Sequence, residues 1–310
     1  MGLYKLTSRA IIGAFFERLE QNPGAKWIDK IAASFSSNMG EEEYAWLGQS
    51  PMMREWVGGR HAKGLSEHSY KIPNIDFEAT LEVAVADLRR DKSPQVLQRI
   101  RDLADRTNAH WAKLLSAKII AGEASLCYDG HPFFDTDHSE GDSGSQSNLL
   151  SIDIATTTAP TASEMEKSVL SGISKILSFK DNEGEPLNEN AQEFVVMVPV
   201  PFLEAAGAAL KSPVIVDALG ARTNTIIAYE GFLLNLVVNP RLTWTTKFGI
   251  FRADGNGKPL IKQEETPVEI DALAEGSELE FKHNKHQYGV KTSRNVGYGF
   301  WQHGCMVSFT

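Results

Sequence analysis

What this chain lacks narrows its chemistry. Among 310 residues there are two cysteines, Cys127 and Cys305, far apart and in no zinc-ligand or redox spacing. A zinc ribbon, a CxxC dithiol and a disulfide framework are therefore excluded as organising devices. Both thiols are expected to be small, reduced and half-buried; whether they pair is left open. No apolar run approaches transmembrane length. Met1 to Glu20 is apolar with a period, is interrupted by charge and has no small-residue cleavage pattern after it, so it is not read as a signal peptide. Leu6 stands where myristoylation wants Ser or Thr. The expected location is the cytoplasm, or a particle assembled there. The formal net charge is -9 with no basic stripe, which disfavours a dedicated nucleic-acid grip.

Catalytic fingerprints are lacking too. No Gly-x-x-x-x-Gly-Lys phosphate loop exists. Gly255-Asn256-Gly257 reads as a hairpin turn rather than the opening of a helix. Ser143 has the wrong neighbours for a nucleophile elbow. Carboxylates are many, but no pair stands out. The densest set of metal-ligating side chains is Asp129, His131, Asp135, Asp137 and His138. It has neither an EF-hand ladder nor a His-Glu-x-x-His helix, and Asp-Gly and His-Pro are turn formers. It reads as a structural turn. His283 and His286 read as a solvated loop, and His61 and His68 as exposed groups near a hairpin tip. No catalytic residue, cofactor or metal is expected.

What is present is a mixture of two periods. Ser8 is the expected cap of a helix carrying Ile11, Ile12, Phe15, Phe16 and Leu19, stopped by Pro23-Gly24. A short helical stretch carries Trp27, Ile28 and Ile31. Tyr44 to Trp56 reads as extended chain, followed by a glycine-rich tip from Gly58 to Gly64. Phe77, Ala79, Leu81, Val83 and Val85 then alternate with Glu78, Thr80 and Glu82, the pattern of a strand with one covered face. Together these predict a long hairpin whose apolar face must meet another domain or subunit.

Ser93-Pro94 opens a helix striped by Val96, Leu97, Ile100, Leu103, Ala104, Thr107, Trp111, Leu114, Leu115 and Ile119, with Gly122 as its C-terminal cap. At 1.5 Å per residue it spans roughly 40 Å. A Ser/Gly/Asp-rich loop, expected to be mobile, runs from Ser139 to Ser151. Thr161-Ala-Ser-Glu164 fits a capping box for a helix striped by Met165, Val169, Leu170, Ile173, Ile176 and Leu177. Beyond it, Phe194 to Val198, Thr225 to Tyr229 and Leu233 to Val238 read as strands, and Pro201 to Leu210 as a short helix. His286 to Val290 and Tyr298 to Phe309 close the chain as extended segments. There is no βαβ rhythm, so the class is α+β.

Three blocks carry a family resemblance. The first is Tyr44-Ala45-Trp46-Leu47-Gly48, Arg54-Glu55-Trp56-Val57-Gly58, Arg60, Leu65, His68-Ser69-Tyr70, Ile72, Asn74, Phe77-Glu78 and Thr80. The second is Cys127-Tyr128-Asp129-Gly130 with Phe133-Phe134-Asp135 and His138. The third is Gly297-Tyr298-Gly299-Phe300-Trp301-Gln302. In this order they resemble the major head subunits of Mu-like phages and prophages; residues 139–199 are outside the resemblance. It implies the tailed-phage (HK97-like) capsid fold: an N-terminal arm at 1–43, an extended-loop hairpin at 44–91, a peripheral domain at 92–184 with spine helix 93–122, an axial domain at 185–275, and return strands at 276–310 beside the spine helix. The hairpin's unpartnered face then finds its partner on a neighbouring subunit.

The implied function is structural: self-assembly, as hexamers and pentamers, into an icosahedral head shell. The shell would enclose double-stranded DNA without sequence-specific binding, and acidic character suits a container. Expected partners are further copies, a separate scaffold protein, a portal and decoration proteins, with no membrane; the expected location is the virion. Trp46, Arg54, Trp56, Arg60, Lys63, Phe77 and Leu81 are the expected interface residues. The basic tip around Arg60 and Lys63 is expected to latch onto acidic surface next door, without an isopeptide cross-link from Lys63. The rival readings are an encapsulin-like compartment of the same fold and a metal-dependent hydrolase using the Asp129–His138 cluster.

Overall fold

Apolar stripes and alternation decide which faces of this chain become interior. In the computed structural model, residues 6–44, 70–89, 93–217, 220–229 and 231–310 are described. The chain opens with α1 (Ser8–Gln21), capped by Thr7, whose side chain accepts from the Ala10 amide. The cap is thus one residue earlier than expected. Next come α2 (Ile28–Ile31), β1 (Ala32–Ser36), β2 (Glu41–Glu43), β3 (Lys71–Pro73), β4 (Ile75–Ala84), α3 (Val85–Arg89) and α4 (Ser93–Ile120). The second half adds β5 (Leu149–Ile152), α5 (Ala162–Leu177), β6 (Glu193–Val198), α6 (Leu203–Lys211), β7 (Val214–Asp217), β8 (Gly220–Thr223) and α7 (Thr225–Ala228). The chain closes with β9 (Leu233–Val238), β10 (Lys247–Arg252), β11 (Leu260–Leu273), α8 (Glu278–His283), β12 (Lys285–Tyr298) and β13 (Gly304–Phe309).

Two sheets organise these elements. One has the order β1-β11-β12-β4, with β11, β12 and β4 forming a long antiparallel ribbon capped at its tip by α8. The other has the order β5-β13-β10-β6-β9 and carries α5 and α6 on its face. Helix α4 serves both. Its first half buries Val96, Ile100 and Ala104 with α1 and the ribbon residues Val83, Tyr288 and Val290. Its second half buries Ala112, Leu115 and Ile119 in the larger core, which holds both α5 and the five-stranded sheet. The predicted stripe is therefore real, and it is shared between two cores. Arg18 of α1 holds Asp105 of α4 through two hydrogen bonds, at 2.8 and 2.9 Å.

Several expectations are corrected. Strand β4 pairs with β12 over ten residues, from Ile75 to Ala84. Most of its apolar face is covered within the chain, because Leu81 and Val83 join the α1–α4 core and Phe77 meets His110 edge-on at 4.4 Å, while Ala79 stays exposed. A strand beside a long amphipathic helix buries its alternating residues there and needs no neighbour for them. Residues 45–69, with the glycine-rich tip and His61 and His68, lie outside the described residues.

Segment 185–275, expected as one unit, feeds both sheets: β6 and β10 lie in the five-stranded sheet and β11 in the ribbon. Of the expected return strands, β12 lies beside α4, while β13 pairs with β10 and β5 in the other sheet. Thr225 to Ala228 is helical, because buried Asn224 accepts from the Ile226 amide and donates to the Ala209 and Ser212 carbonyls. Gly122 sits in a 3-10 turn, not in a left-handed cap; a Cβ there would lie 2.5 Å from the Phe134 ring. The polar loop at 139–151 is pinned: Gln146 exchanges two hydrogen bonds with the Lys180 backbone, and the Asp142 amide donates to the Asn182 carbonyl. Polar composition did not reveal those backbone partners.

Candidate assembly surfaces and a buried polar cluster

The three sequence blocks converge around the C-terminal half of α4. From the first, Tyr44 donates its hydroxyl to Gln263 at 2.7 Å, and the Tyr70 hydroxyl accepts the Tyr298 amide at 3.2 Å. Between the second and third, Phe133 stacks on Tyr298 at 4.7 Å and His138 stacks on Trp301 at 4.0 Å, nearly parallel. Gln302 donates to the Tyr128 hydroxyl at 2.9 Å, and that hydroxyl donates in turn to Glu140. Asn148, fully buried, donates to the Phe133 carbonyl at 2.7 Å.

At the centre lies Asp129. One carboxylate oxygen accepts from the Cys127 thiol and from the His131 amide, both at 3.0 Å. The other meets His138 Nδ1 at 2.6 Å, with both side chains nearly inaccessible. An ionised carboxylate can only accept, so Nδ1 carries the hydrogen. Burial would raise the Asp129 pKa, but hydrogen bonds from His138 and Cys127 outweigh it and hold it below the usual carboxylate value. The Cys127 thiol is pushed far up, first by burial and then by Asp129, so it stays a protonated donor. Ligand atoms of Cys127, Asp129 and His138 lie within 4.8 Å of one another, a spacing a metal could use. Cys127 Sγ, both Asp129 oxygens and His138 Nδ1 are already engaged in hydrogen bonds, while His138 Nε2 is buried with no partner among the described residues; the carboxylate separates the thiol from the imidazole, so the two do not form a nucleophile–base pair. Both cysteines are free and buried. Asp135 bonds His131 at 3.2 Å, and Asp137 is exposed. His286, expected in a solvated loop, is buried in β12 at 3.3 Å from Glu280.

A second buried polar site fixes the β7–β8 hairpin. The Glu166 side chain, 1% exposed, accepts from Arg222 and from the Thr225 amide, while Arg222 also bonds Asp217 at 3.2 Å. Burial would raise the Glu166 pKa; Arg222 and Thr225 outweigh it and lower it.

Of the expected interface residues, Trp46, Arg54, Trp56, Arg60 and Lys63 lie outside the described residues. Phe77 and Leu81 are half-buried against the chain's own α4 core. The exposed apolar surface lies elsewhere. At one extreme Val200, Leu203, Val214, Val216, Tyr229 and Leu233 are exposed around α6, the β7–β8 hairpin and the edge strand β9. At the ribbon tip Leu273 is 56% exposed and Phe281 90%. Sequence reasoning missed both groups, since a solvent-facing Val or Phe looks the same in one dimension as a core residue. Among the described residues no helix is long and apolar enough to cross a membrane.

The model of the Mu-like prophage major head subunit gpT family matches residues 8–162 and 243–308, a span that contains all three blocks. The chain belongs to that family. A FluMu prophage major head subunit of Haemophilus influenzae is 32% identical over 123 residues, covering 40% of each chain. The major capsid protein of Escherichia phage Mu is 30% identical over 110 residues, covering 36% of each. The matched stretches thus span less than half the length of these curated relatives. Among solved structures, the procapsid of bacteriophage JBD30 superposes with a TM-score of 0.57 at 22% identity, covering 97% of this chain and 74% of that one. The fold is that of tailed-phage capsids. The Mu-like head subunit family is one of structural proteins, not of enzymes. Its model leaves out 163–242, the stretch from α5 to β9 that bears the Glu166–Arg222 pair and much of the exposed apolar surface.

Proposed function

We propose that this chain is the shell subunit of a Mu-like phage or prophage head, assembling as hexamers and pentamers around double-stranded DNA. The observation that carries the reading is a head-subunit family match over both halves of a chain with the tailed-phage capsid fold. In this reading residues 1–43 form the arm, the segment between β2 and β3 the extended loop, α4 with the β11–β12–β4 ribbon the peripheral part, and the five-stranded sheet with α5–α7 the axial part. Trp46, Arg54, Trp56, Arg60 and Lys63 are proposed contacts of the loop with a neighbour. A scaffold protein, a portal and decoration proteins are proposed partners. DNA is enclosed without base readout, in keeping with the net charge of -9. Assembly takes place in the bacterial cytoplasm, and the product is the virion head.

The test is co-expression with the scaffold of the same phage, followed by light scattering and negative-stain imaging. Closed shells or ring-shaped capsomers are expected. A stable monomer at high concentration with scaffold present overturns the reading. Shells that never engage a portal or take up DNA point instead to a compartment of the same fold.

A further inference from the structure

Phe281 has no packing role within its own subunit, yet its setting is built. Ser277 caps α8 by accepting from the Glu280 amide, the Gly276 amide donates to Glu280, and Asn284 closes the helix in the left-handed conformation at φ 54°. The result is a short, fixed helix presenting a benzyl group that is 90% exposed. Glu278 lies three residues earlier, hence on the same side, with its side chain 77% exposed. Knob and charge thus travel together.

A receptor of matching chemistry lies on the same molecule. Between α4 and the β4–β12 pair is a cleft of about 340 Å³, lined on its apolar side by Ala79, Leu103 and Val290; about 150 Å³ suffices for a benzene-sized ring. Arg106 and Lys113 stand at its rim, both exposed and in no ion pair with a described residue. Beneath them Arg294, its side chain 3% exposed, donates to His110 at 3.2 Å and to the Thr107 carbonyl at 3.1 Å, with its nearest carboxylate, Glu264, at 4.0 Å. His110 stays neutral, pushed down to about 4 by burial and by Arg294. Facing the cleft are therefore three cations against one carboxylate, Glu78, in a chain whose net charge is -9.

The knob cannot enter the cleft of its own subunit. Both are fixed to one ribbon, and five residues of β12, at about 3.4 Å each, separate Lys285 at the tip from Val290 in the cleft. We infer that the ribbon tip docks into this cleft on a second copy of the chain, Phe281 entering beside Ala79, Leu103 and Val290 while Glu278 meets Arg106 and Lys113. This rests on the shell reading and names one of its contacts. Knob and cleft occupy different places on one chain, so the contact is heterologous: each copy gives one and receives one. Glu278 leaves its exposed ion pair with Lys282, a weak interaction, when it docks.

The test uses the full chain with its scaffold. Phe281→Asp should raise the concentration needed for assembly about tenfold or more, with the melting temperature of the free subunit unchanged. Lys113→Glu should do the same and be rescued by Glu278→Lys in the same chain. A chain carrying Lys113→Cys and Glu278→Cys should give a ladder of subunit multiples on non-reducing gels of particles treated with a mild disulfide oxidant, since Cys127 and Cys305 are buried. Wild-type shells alongside normal assembly of Phe281→Asp, or particles of the cysteine pair without a ladder, overturn the docking and leave the shell reading standing. Failure of the wild type to assemble at all removes both.

Discussion

Asp129 shows how much one side chain can carry. It accepts from a thiol, an amide and an imidazole at once, inside a turn that joins two distant blocks of the chain. Asp129→Asn would turn an acceptor into a donor facing other donors. The expected loss is about 3 kcal/mol, the cost of breaking a buried pair from one side, measured by urea unfolding. Metal analysis of the purified wild type should find no stoichiometric ion, since the Asp129 oxygens, the Cys127 thiol and His138 Nδ1 already bond one another; one metal per chain, lost in the variant, would make the cluster a metal site. Asp129 titrates below its ordinary 3.8, so its contribution is complete above that pH and is lost as pH falls through the folded value. His303 acts over a higher range. Burial and Arg252 push it down to about 3 from 6.5, so the unfolded chain takes up the proton first and stability falls as pH drops from 6.5 toward 3. One such group accounts for up to about 1.4 kcal/mol per pH unit. His303→Gln should flatten the pH dependence of unfolding below 6.5, and an unchanged slope would show that His303 is not the group responsible.

At the scale of elements, the ribbon and α4 depend on close approach. A Cβ on Gly299 would lie 2.1 Å from the Lys258 carbonyl oxygen, a backbone atom with nowhere to move. Gly299→Ala should therefore cost about 1–3 kcal/mol, read as a lower urea midpoint with an unchanged slope. A variant as stable as the wild type would mean that the turn before β13 can shift. The same crowding explains why the third block is rich in glycine: at Gly297 a Cβ would meet the Ile72 side chain at 2.2 Å. Strand β11 shows the opposite case, an element that sequence reasoning passed over. Its charges and Pro267 argue against a strand, yet the proline falls where the pairing with β12 slips register, between Thr266 and Glu269.

At the scale of the whole molecule, the surface charge sets the sign of the salt effect. Copies of net charge -9 repel, whereas in the proposed shell the cationic cleft and the loop residues Arg54, Arg60 and Lys63 would attract acidic surface at contact. At about 0.1 M salt the Debye length is about 10 Å, so contact pairs weaken while long-range repulsion is already largely screened. Raising salt from there should slow shell formation in light scattering. Faster assembly at higher salt would mean that repulsion between whole subunits governs the rate and that the ionic contacts are minor.

The sequence by itself determined what is local. The 3.6-residue stripe of α4, the capping box at Thr161 and Glu164, and the alternation of β4 each follow from neighbours within a few residues, and each has its place in the structure. Block order was enough to indicate the family, because the blocks are text. Which face meets which was not legible. Only the tertiary structure put Arg294 against Thr107, Lys30 against Glu193 and Trp301 against His138, and only it covered β4 with α4 of the same chain. Phe281 and Phe251 are each followed by a cation in the text, Lys282 and Arg252; one is 90% exposed and the other fully buried. That difference depends on the distant strands that pack around each, and sequence spacing carries no information about them.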